Sequence, residues 1–254
     1  MPGPVVYSPF GRIMAFTQRK GQDMRLVYGS ALAVALASLV PLSPAAQAPA
    51  QETNRTVTGG GITAPGWQGK ADGAGQVSEA KLSGEGKDLH VVTGPAVTYW
   101  NPANKATGDY TVKATFTEPK YMNLNDHPHP YGIMIAGNDL GTPQQSYLYC
   151  AAYGNGTFIV RGMGPDPFQV NGRRGEPNDA VNKAPGKDQP VKQDIAVSVK
   201  GDKVECAING KVVGSYDKAA LVASGKLKST DGVYGIRFAH NTEATVSGLT
   251  MTKP

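Results

Sequence analysis

Apolar and polar residues alternate along much of this chain, in short runs separated by glycine, proline and asparagine. The run from 109 to 117 is the clearest, because Tyr110, Val112 and Phe116 fall on one face while threonines and a lysine fall on the other. A period of two residues predicts a half-buried β-strand. The same pattern predicts further strands over 89–92, 96–100, 131–136, 147–152, 157–161, 191–200, 203–208, 211–216, 232–239 and 244–253, and a helical turn over 217–224.

Glycine-containing corners join several of these runs. Asn155-Gly156 separates the runs 147–152 and 157–161, and Gly201-Asp202 and Asn209-Gly210 separate three later runs. Tight hairpin turns need residues that accept positive φ, as Gly and Asn do. The corners therefore predict antiparallel hairpins.

The stretch 130–162 is predicted to be the centre of the fold, because two strongly apolar and aromatic runs meet there across a tight turn. Its register places Leu148 and Cys150 on one face and Tyr147 and Tyr149 on the other. A ligand is expected on the aromatic and polar face.

About ten short strands with almost no helix predict an all-β fold, an antiparallel β-sandwich of the jelly-roll type. No repeat of roughly 20–50 residues occurs, which disfavours a propeller. A single domain is predicted over 64–254, preceded by a flexible lead-in over 51–63. The segment 163–190 is crowded with Gly, Pro, Asp and Asn, and such a loop is usually functional or mobile.

Residues 1–50 have the pattern of a secretory signal peptide with an upstream extension. Basic residues precede the apolar run 26–40, and Ala48-Pro49-Ala50 fits cleavage before Gln51. The run is short for a membrane span and ends in proline, which favours cleavage over an uncleaved anchor. We therefore expect export to the periplasm or the exterior, with no membrane span after cleavage.

The leader carries most of the excess positive charge. The chain has 25 lysines and arginines against 20 aspartates and glutamates, and residues 1–50 hold four of the former and one of the latter, which leaves 21 against 19. So balanced a domain gives no reason to expect binding to nucleic acid or to an anionic membrane.

The two cysteines, Cys150 and Cys206, both fall on the apolar faces of predicted strands. In an oxidising compartment they could pair, whereas two separate buried thiols would behave as small apolar side chains. The sequence leaves both interpretations open, because pairing requires a Cα separation of roughly 4.4–6.8 Å.

Several segments carry a pattern of strands and turns that resembles the concanavalin A-like lectin/glucanase jelly-roll superfamily. Within it, the nearest resemblance is to the 3-keto-disaccharide hydrolase domain family, formerly a domain of unknown function. The segments are 108–116, 131–137, 147–149, 194–200, 204–211 and 232–237. The resemblance implies a carbohydrate-related function, either saccharide binding or hydrolysis of a glycoside.

One catalytic pattern of that superfamily is missing. The Glu-x-Asp-x-x-Glu strand of the family-16 glucanases does not occur in this chain. A retaining glycosidase needs two carboxyl groups about 5–5.5 Å apart, which alternation on one strand supplies directly. Here such a pair would have to come from separate loops.

Asp126, His127 and His129 form the most suggestive local cluster. Histidines beside a carboxylate could serve as the acid and base of an enzyme acting on a glycoside, or as part of a Zn²⁺ site. A structural Ca²⁺ could instead draw on the oxygens of Asn125, Asp126, Asn138 and Asp139. The interpretation we favour is a surface loop whose histidines hydrogen-bond locally, with no metal assigned.

Aromatic and arginine side chains make a stronger case for a ligand site, since flat rings stack on sugar faces and guanidinium groups donate to hydroxyls. The predicted ligand-binding residues are Trp100, Tyr131, Tyr147, Tyr149, Arg161 and Arg237, with Arg173 and Arg174 as further polar partners. Some of these rings are expected in the core, the commoner place for Tyr and Trp in a sandwich.

Three functions are compatible with this sequence. The first is an exported domain that binds a glycan or saccharide on a concave sheet face. The second is a glycoside hydrolase. The third is a non-catalytic structural or partner-binding module of a cell-envelope assembly, with the loop 163–190 making the contact. Fold resemblance alone does not decide whether the protein is an enzyme.

Overall fold

The computed structural model describes residues 53–254, so the predicted leader lies outside the described residues. Among residues 53–254, no helix is long and apolar enough to cross a membrane. The strands are β1 (Gly61–Ile62), β2 (Gln68–Ala71), β3 (Ala80–Glu85), β4 (Asp88–Thr93), β5 (Val97–Ala106), β6 (Tyr110–Glu118), β7 (Tyr131–Asn138), β8 (Ser146–Ala152), β9 (Thr157–Met163), β10 (Pro167–Gln169), β11 (Glu176–Pro177), β12 (Val191–Lys200), β13 (Lys203–Ile208), β14 (Lys211–Asp217), β15 (Gly232–Phe238) and β16 (Glu243–Thr252). A 3₁₀ turn at Val77–Glu79 and the short helix α1 (Lys218–Leu221) complete the described elements.

The strands form two sheets of eight. The first sheet has the order β1-β3-β4-β16-β6-β12-β13-β14, and the second has the order β10-β9-β8-β7-β15-β5-β2, with β11 also paired to β9. Every pairing of consecutive neighbours is antiparallel except that of β1 with β3. The predicted fold class, an antiparallel β-sandwich, is confirmed.

One contiguous core lies between the two sheets. Strand β6 of the first sheet contributes Val112 and Phe116, and β7 and β15 of the second contribute Ile133 and Ile236. The alternating residues of β6 point the other way and are partly or fully exposed. The period of two residues along these strands thus identified the core-facing side, as expected of a half-buried sheet.

The central hairpin is also as predicted. Strands β8 and β9 pair antiparallel across the Asn155-Gly156 corner. Leu148 and Cys150 belong to the core, while Tyr147 and Tyr149 lie on the opposite face of the second sheet, hereafter the outer face. The predicted helical turn over 217–224 is present as α1.

Three strands near the start of the domain were missed. β2 and β3 have the sequences QGKA and AKLSGE, which contain too few β-branched or aromatic residues to stand out. Ala80 and Leu82 of β3 are nevertheless fully buried, because pairing with β4 brings them to the core. β1 contains two residues and was assigned to the lead-in.

Regular structure therefore begins before residue 64, within the predicted lead-in over 51–63. Gly61 and Ile62 pair in parallel with β3. Further upstream, the Arg55 N–H donates to Asn241 Oδ1 at 2.7 Å, and Asn241 Nδ2 donates to the carbonyl of Thr53 at 3.1 Å. A buried asparagine thus ties this segment to the loop that follows β15.

Cys150 and Cys206 are joined by a disulfide, with Cα atoms 6.0 Å apart. Cys150 lies on β8 of the second sheet and Cys206 on β13 of the first. The bond connects the two layers through the core, so the alternative that the sequence left open is resolved in favour of pairing.

Candidate functional site

A hollow of about 570 Å³ opens at one end of the second sheet. Strands β5 and β7 begin at this end, and β8 and β15 finish there, so their connecting loops surround it. The loop 163–190 adds two arginines. The lining residues are Ala96, His127, Pro128, His129, Pro130, Tyr149, Tyr153, Arg161, Arg173, Arg174, Arg237, Ala239 and His240.

Tyr149 and Arg161 are directly opposite each other on β8 and β9, as Cα partners. The Arg161 guanidinium donates from Nε to Gln169 Oε1 at 3.1 Å and from Nη2 to the carbonyl of Arg173. These two bonds hold the side chain between β10 and the following loop. Pairing across the hairpin therefore places an aromatic ring and a cation side by side on the outer face.

Arg237 is the buried cation of the site. It donates to both carboxylate oxygens of Asp72 and, at 3.1 Å, to Thr98 Oγ1. Its guanidinium carbon lies 5.7 Å from the centroid of the Tyr149 ring, within the range of a cation–π contact. Its position is therefore fixed by an ion pair on one side and a ring on another.

The hollow is positively charged. Among the described residues that line it there are four arginines and no carboxylate. Asp72 offsets the charge of Arg237, but no lining carboxylate offsets Arg161, Arg173 and Arg174. Guanidinium groups match the planar geometry of carboxylate, sulfate and phosphate oxygens, so the hollow is suited to an anionic group.

Tyr153 immediately follows β8 and lines the hollow. Burial raises the pKa of this phenol, and the opposing effect of Arg161 is smaller. The hydroxyl is therefore protonated near neutral pH and can donate a hydrogen bond to a ligand.

Three histidines converge at one side of the hollow because of the register between β7 and β15. Tyr131 and Phe238 are Cα partners, and the Ala239 N–H donates to the Pro130 carbonyl one step further along. His129 and His240, each one residue beyond that bond, are thereby brought together, with ring centroids 4.1 Å apart. The ring centroid of His127, two residues before His129, lies 4.4 Å from that of His129 and 6.5 Å from that of His240.

Hydrogen bonds orient two of these rings. His127 Nδ1 lies 2.8 Å from Asp126 Oδ1, and His129 Nδ1 lies 2.7 Å from the carbonyl oxygen of His240. Since a carbonyl and an ionised carboxylate only accept, each Nδ1 carries the proton. The two Nε2 atoms face each other at 2.8 Å.

The electrostatics of this cluster favour neutral histidine beside an ionised carboxylate. Burial and, after it, the neighbouring His240 lower the pKa of His129 to about 4. The hydrogen bond from His127 lowers the pKa of Asp126 below its usual value. Near neutral pH His129 is therefore a neutral imidazole, the form that binds metals.

Most of the predicted polar residues meet at the hollow. His127, His129, Tyr149, Arg161 and Arg237 line it. Asp126 does not line the hollow but is linked to it by its hydrogen bond with His127. The partners Arg173 and Arg174 line it as well, although the sequence assigned them no position.

The other three predicted ligand contacts lie elsewhere. Tyr131 points into the core and stacks against Phe116 and Phe238, because its strand position is on the inner face. Trp100 and Tyr147 are on the outer face but pack with Met134 in a second buried cluster. Alternation assigned the face of Tyr147 correctly, yet it could not show that the face is covered there.

The oxygens considered for Ca²⁺ do not form one site. Asn125 and Asp126 precede β7, whereas Asn138 and Asp139 lie at its other end. Eight residues of strand span roughly 25 Å. Asp139 is instead paired with Lys228.

His240, Tyr153 and Asp72 were not singled out from the sequence. His240 stands alone in its segment, and only the pairing of β7 with β15 brings it to His129. Asp72 follows β2, a strand that the pattern missed. Tyr153 adjoins the predicted hairpin corner, so its position beside a turn was the available signal.

No protein-family model matches the chain, and no curated protein matches it. Solved structures similar to it include the carbohydrate-binding module CBM66 from Bacillus subtilis, with 12% identity, a TM-score of 0.43, and coverage of 76% of this chain and 98% of that one. Another is a Bacillus subtilis protein of unknown function with a galectin-like fold, at 15% identity and a TM-score of 0.47, with coverage of 74% of this chain and 89% of that one. Sheep galectin-11 matches at 11% identity and a TM-score of 0.38, with coverage of 58% of this chain and 92% of that one. With TM-scores below 0.5, these likenesses decide nothing about function, and the predicted relation to the 3-keto-disaccharide hydrolase domains is unconfirmed.

Proposed function

We propose that this domain is exported and binds a negatively charged saccharide, such as a uronic-acid or sulfated oligosaccharide, in the hollow at the end of the second sheet. The pairing of Tyr149 with Arg161 is the observation that carries this proposal. The tyrosine offers a ring face to a pyranose, and the guanidinium offers two parallel N–H donors to a carboxylate or sulfate.

The rest of the lining supports the same ligand. Arg173 and Arg174 add positive charge without a carboxylate to neutralise it, and Tyr153 adds a hydroxyl donor. The volume of about 570 Å³ lies in the range of small-molecule sites and accommodates one or two sugar rings. The leader pattern and the disulfide between Cys150 and Cys206 support export, because disulfides persist in oxidising compartments.

The test is isothermal titration calorimetry of the mature chain with an oligogalacturonide and with the neutral galactose oligomer of the same length. We expect binding of the acidic ligand only, weakening as salt is raised from 50 to 500 mM. Arg161→Gln should reduce the affinity at least tenfold, whereas Lys211→Gln, the same charge change at an exposed position of β14, should leave it unchanged. Equal affinity for the two oligomers, or unchanged binding by Arg161→Gln, would contradict the proposal.

A glycoside-cleaving function is the second candidate, and the pair formed by Asp126 and His127 is the observation that favours it. A carboxylate that orients an imidazole at 2.8 Å is a common arrangement in general acid–base catalysis. Release of reducing ends from an acidic oligosaccharide, lost in Asp126→Ala while ligand affinity persists, would select this candidate. Binding without any turnover would select the first.

A further inference from the structure

The three histidines beside the hollow form a compact set of nitrogen donors. In the described part of the chain, His127, His129 and His240 are the group whose potential ligand atoms all lie within 4.8 Å of one another. They come from two loops that are over 100 residues apart in sequence and are joined by the ladder between β7 and β15. His129 is buried, His240 is half-buried and His127 is exposed, so the set is anchored in the protein and open on one side.

The rings are held as histidine ligands of metals usually are. A ligating imidazole normally donates its second N–H to a carboxylate or a backbone carbonyl, which fixes the tautomer and the ring orientation. His127 makes this bond to Asp126, and His129 makes it to the carbonyl of His240. Both bonds leave the lone pair on Nε2, and both Nε2 atoms point to the same place.

Two lone pairs that face each other at 2.8 Å repel unless a cation lies between them. A shared proton is one such cation and a metal ion is the other. A potential ligand atom of the third imidazole, that of His240, lies within 4.8 Å of the ligand atoms of the other two. A third nitrogen adds nothing to a proton shared by two. From this geometry we infer that His127, His129 and His240 bind a divalent transition-metal ion.

Zn²⁺ is the ion that this donor set suits best. Three neutral imidazoles with a remaining position for water are a common zinc arrangement, and imidazole also suits Cu²⁺ and Ni²⁺. At Zn–N distances of about 2.0–2.1 Å, tetrahedral nitrogens are roughly 3.3 Å apart. Spacings between 2.8 and 4.8 Å reach this value by shifts of about 1 Å or less in each ring. The three imidazoles themselves offer nitrogen and no oxygen, so this donor set does not suit a hard ion such as Ca²⁺.

The ion would stand between the hollow and a neighbouring depression. His127 and His240 line both spaces, and the second one also contains Asp72 and Glu79. Coordination positions left by the three histidines therefore open to solvent, where water completes the shell.

Metal binding can be measured without reference to any saccharide. An untagged mature chain, stripped with a chelator and dialysed, should bind one equivalent of Zn²⁺ in equilibrium dialysis with micromolar or tighter affinity, and should bind no Ca²⁺. Co²⁺ titration should give the visible d–d bands of a four- or five-coordinate nitrogen site. Less than half an equivalent of Zn²⁺, or Co²⁺ spectra like those of the aqueous ion, would overturn the inference and leave the shared proton as the explanation.

The chain offers a matched control, since it contains four histidines and the fourth, His90, lies on β4 with Glu243 as its partner. His240→Ala and His127→Ala should abolish the stoichiometric site, whereas His90→Ala should retain it. Asp126→Asn, which removes the charge that orients His127, should weaken binding by about 10–100-fold. Circular dichroism verifies that each variant is folded. Retained affinity in a folded His240→Ala protein would contradict the three-histidine site.

The metal site and the saccharide site fail independently in these experiments. Arg161→Gln should leave Zn²⁺ binding unchanged, because the hydrogen bonds of the Arg161 guanidinium go to Gln169 and to the Arg173 carbonyl. Zn²⁺ binding without saccharide affinity would refute only the proposed function, and saccharide affinity without Zn²⁺ binding would refute only this inference.

Discussion

The guanidinium carbon of Arg237 lies 5.7 Å from the centre of the Tyr149 ring while both of its terminal nitrogens donate to Asp72. Arg237 lies on β15, Tyr149 lies on β8 and Asp72 follows β2, so these contacts link three strands of the second sheet. The Tyr149 ring is therefore held in place at the hollow by its cation–π contact with Arg237, and Arg237 is held in turn by its ion pair with Asp72.

Arg237→Met should lower the free energy of unfolding by about 1–3 kcal/mol. Removing one partner of a buried ion pair costs several kcal/mol, but Asp72 has 42% of its side chain exposed and can be solvated again. Urea denaturation of both proteins measures the difference. Lys203→Met breaks the exposed pair with Asp217 and should change the midpoint little. An equally small effect for Arg237→Met would show that its ion pair is not stabilising.

Arg161→Lys should weaken binding of an acidic oligosaccharide nearly as much as Arg161→Gln does. A lysine keeps the charge but loses the planar fork that engages two oxygens, and its single nitrogen would have to serve Gln169, the Arg173 carbonyl and the ligand together. Calorimetric titration of the three proteins gives the ranking. Full affinity in Arg161→Lys would show that charge alone is sufficient.

Replacing both cysteines by alanine should reduce the free energy of unfolding by about 4 kcal/mol. The bond closes a loop of 56 residues, and the loss of unfolded-state entropy for a loop of that size has roughly this value. Guanidinium denaturation of the double variant against the oxidised protein tests it. Addition of a reductant should destabilise the original chain and leave the double variant unaffected.

Glu118 should make stability depend on pH in an unusual direction. Burial raises its pKa from 4.5 to about 7, an effect larger than that of the opposing hydrogen bond from the Met122 N–H. The folded state therefore holds this proton more tightly than the unfolded state does. The free energy of unfolding should fall as the pH rises from 4.5 to 7, by about 3 kcal/mol, and stay lower above that.

Glu118→Gln tests this effect. The variant keeps an acceptor for the Met122 N–H but cannot ionise, so it should be more stable than the original at pH 8 and similar to it at pH 4. Urea midpoints at several pH values provide the comparison, with the exposed Glu85→Gln as the control. Parallel pH profiles for Glu118→Gln and the original protein would assign the dependence to another group.

Sequence reasoning predicted the strands whose alternation is strong. The bounds of β12 and β13 agree residue by residue with the predicted runs, since Ile195, Val197 and Val204 alternate with charged or small residues on either side of the Gly201-Asp202 corner. β2 and β3 were missed because their side chains are small or polar and their burial comes from neighbouring strands. Strands with strong alternation can be predicted from the local pattern, whereas strands buried by their neighbours are recognised only from the tertiary pairing.

The site was predictable to the extent that it lies on one hairpin. Tyr149 and Arg161 follow from the register across Asn155-Gly156, which the sequence defines. The position of His240 does not follow from the sequence, because it depends on which strand pairs with β7. Nothing in residues 239–242 indicates that this strand is β15. Likewise, the residues adjacent to Trp100 in sequence do not indicate that the loop following β7 buries its side chain.

The attachment of Thr53 and Arg55 to Asn241 has a practical implication for anyone labelling this protein. Because Asn241 immediately follows His240, which lines the hollow, a fluorophore or affinity handle fused just upstream of residue 53 would start next to the entrance of the hollow. The carboxyl terminus follows the far end of β16, ten residues of strand away, or roughly 30 Å. Fusions placed there leave the entrance accessible, so a difference in ligand capture between the two orientations would report how closely the amino-terminal tether approaches it.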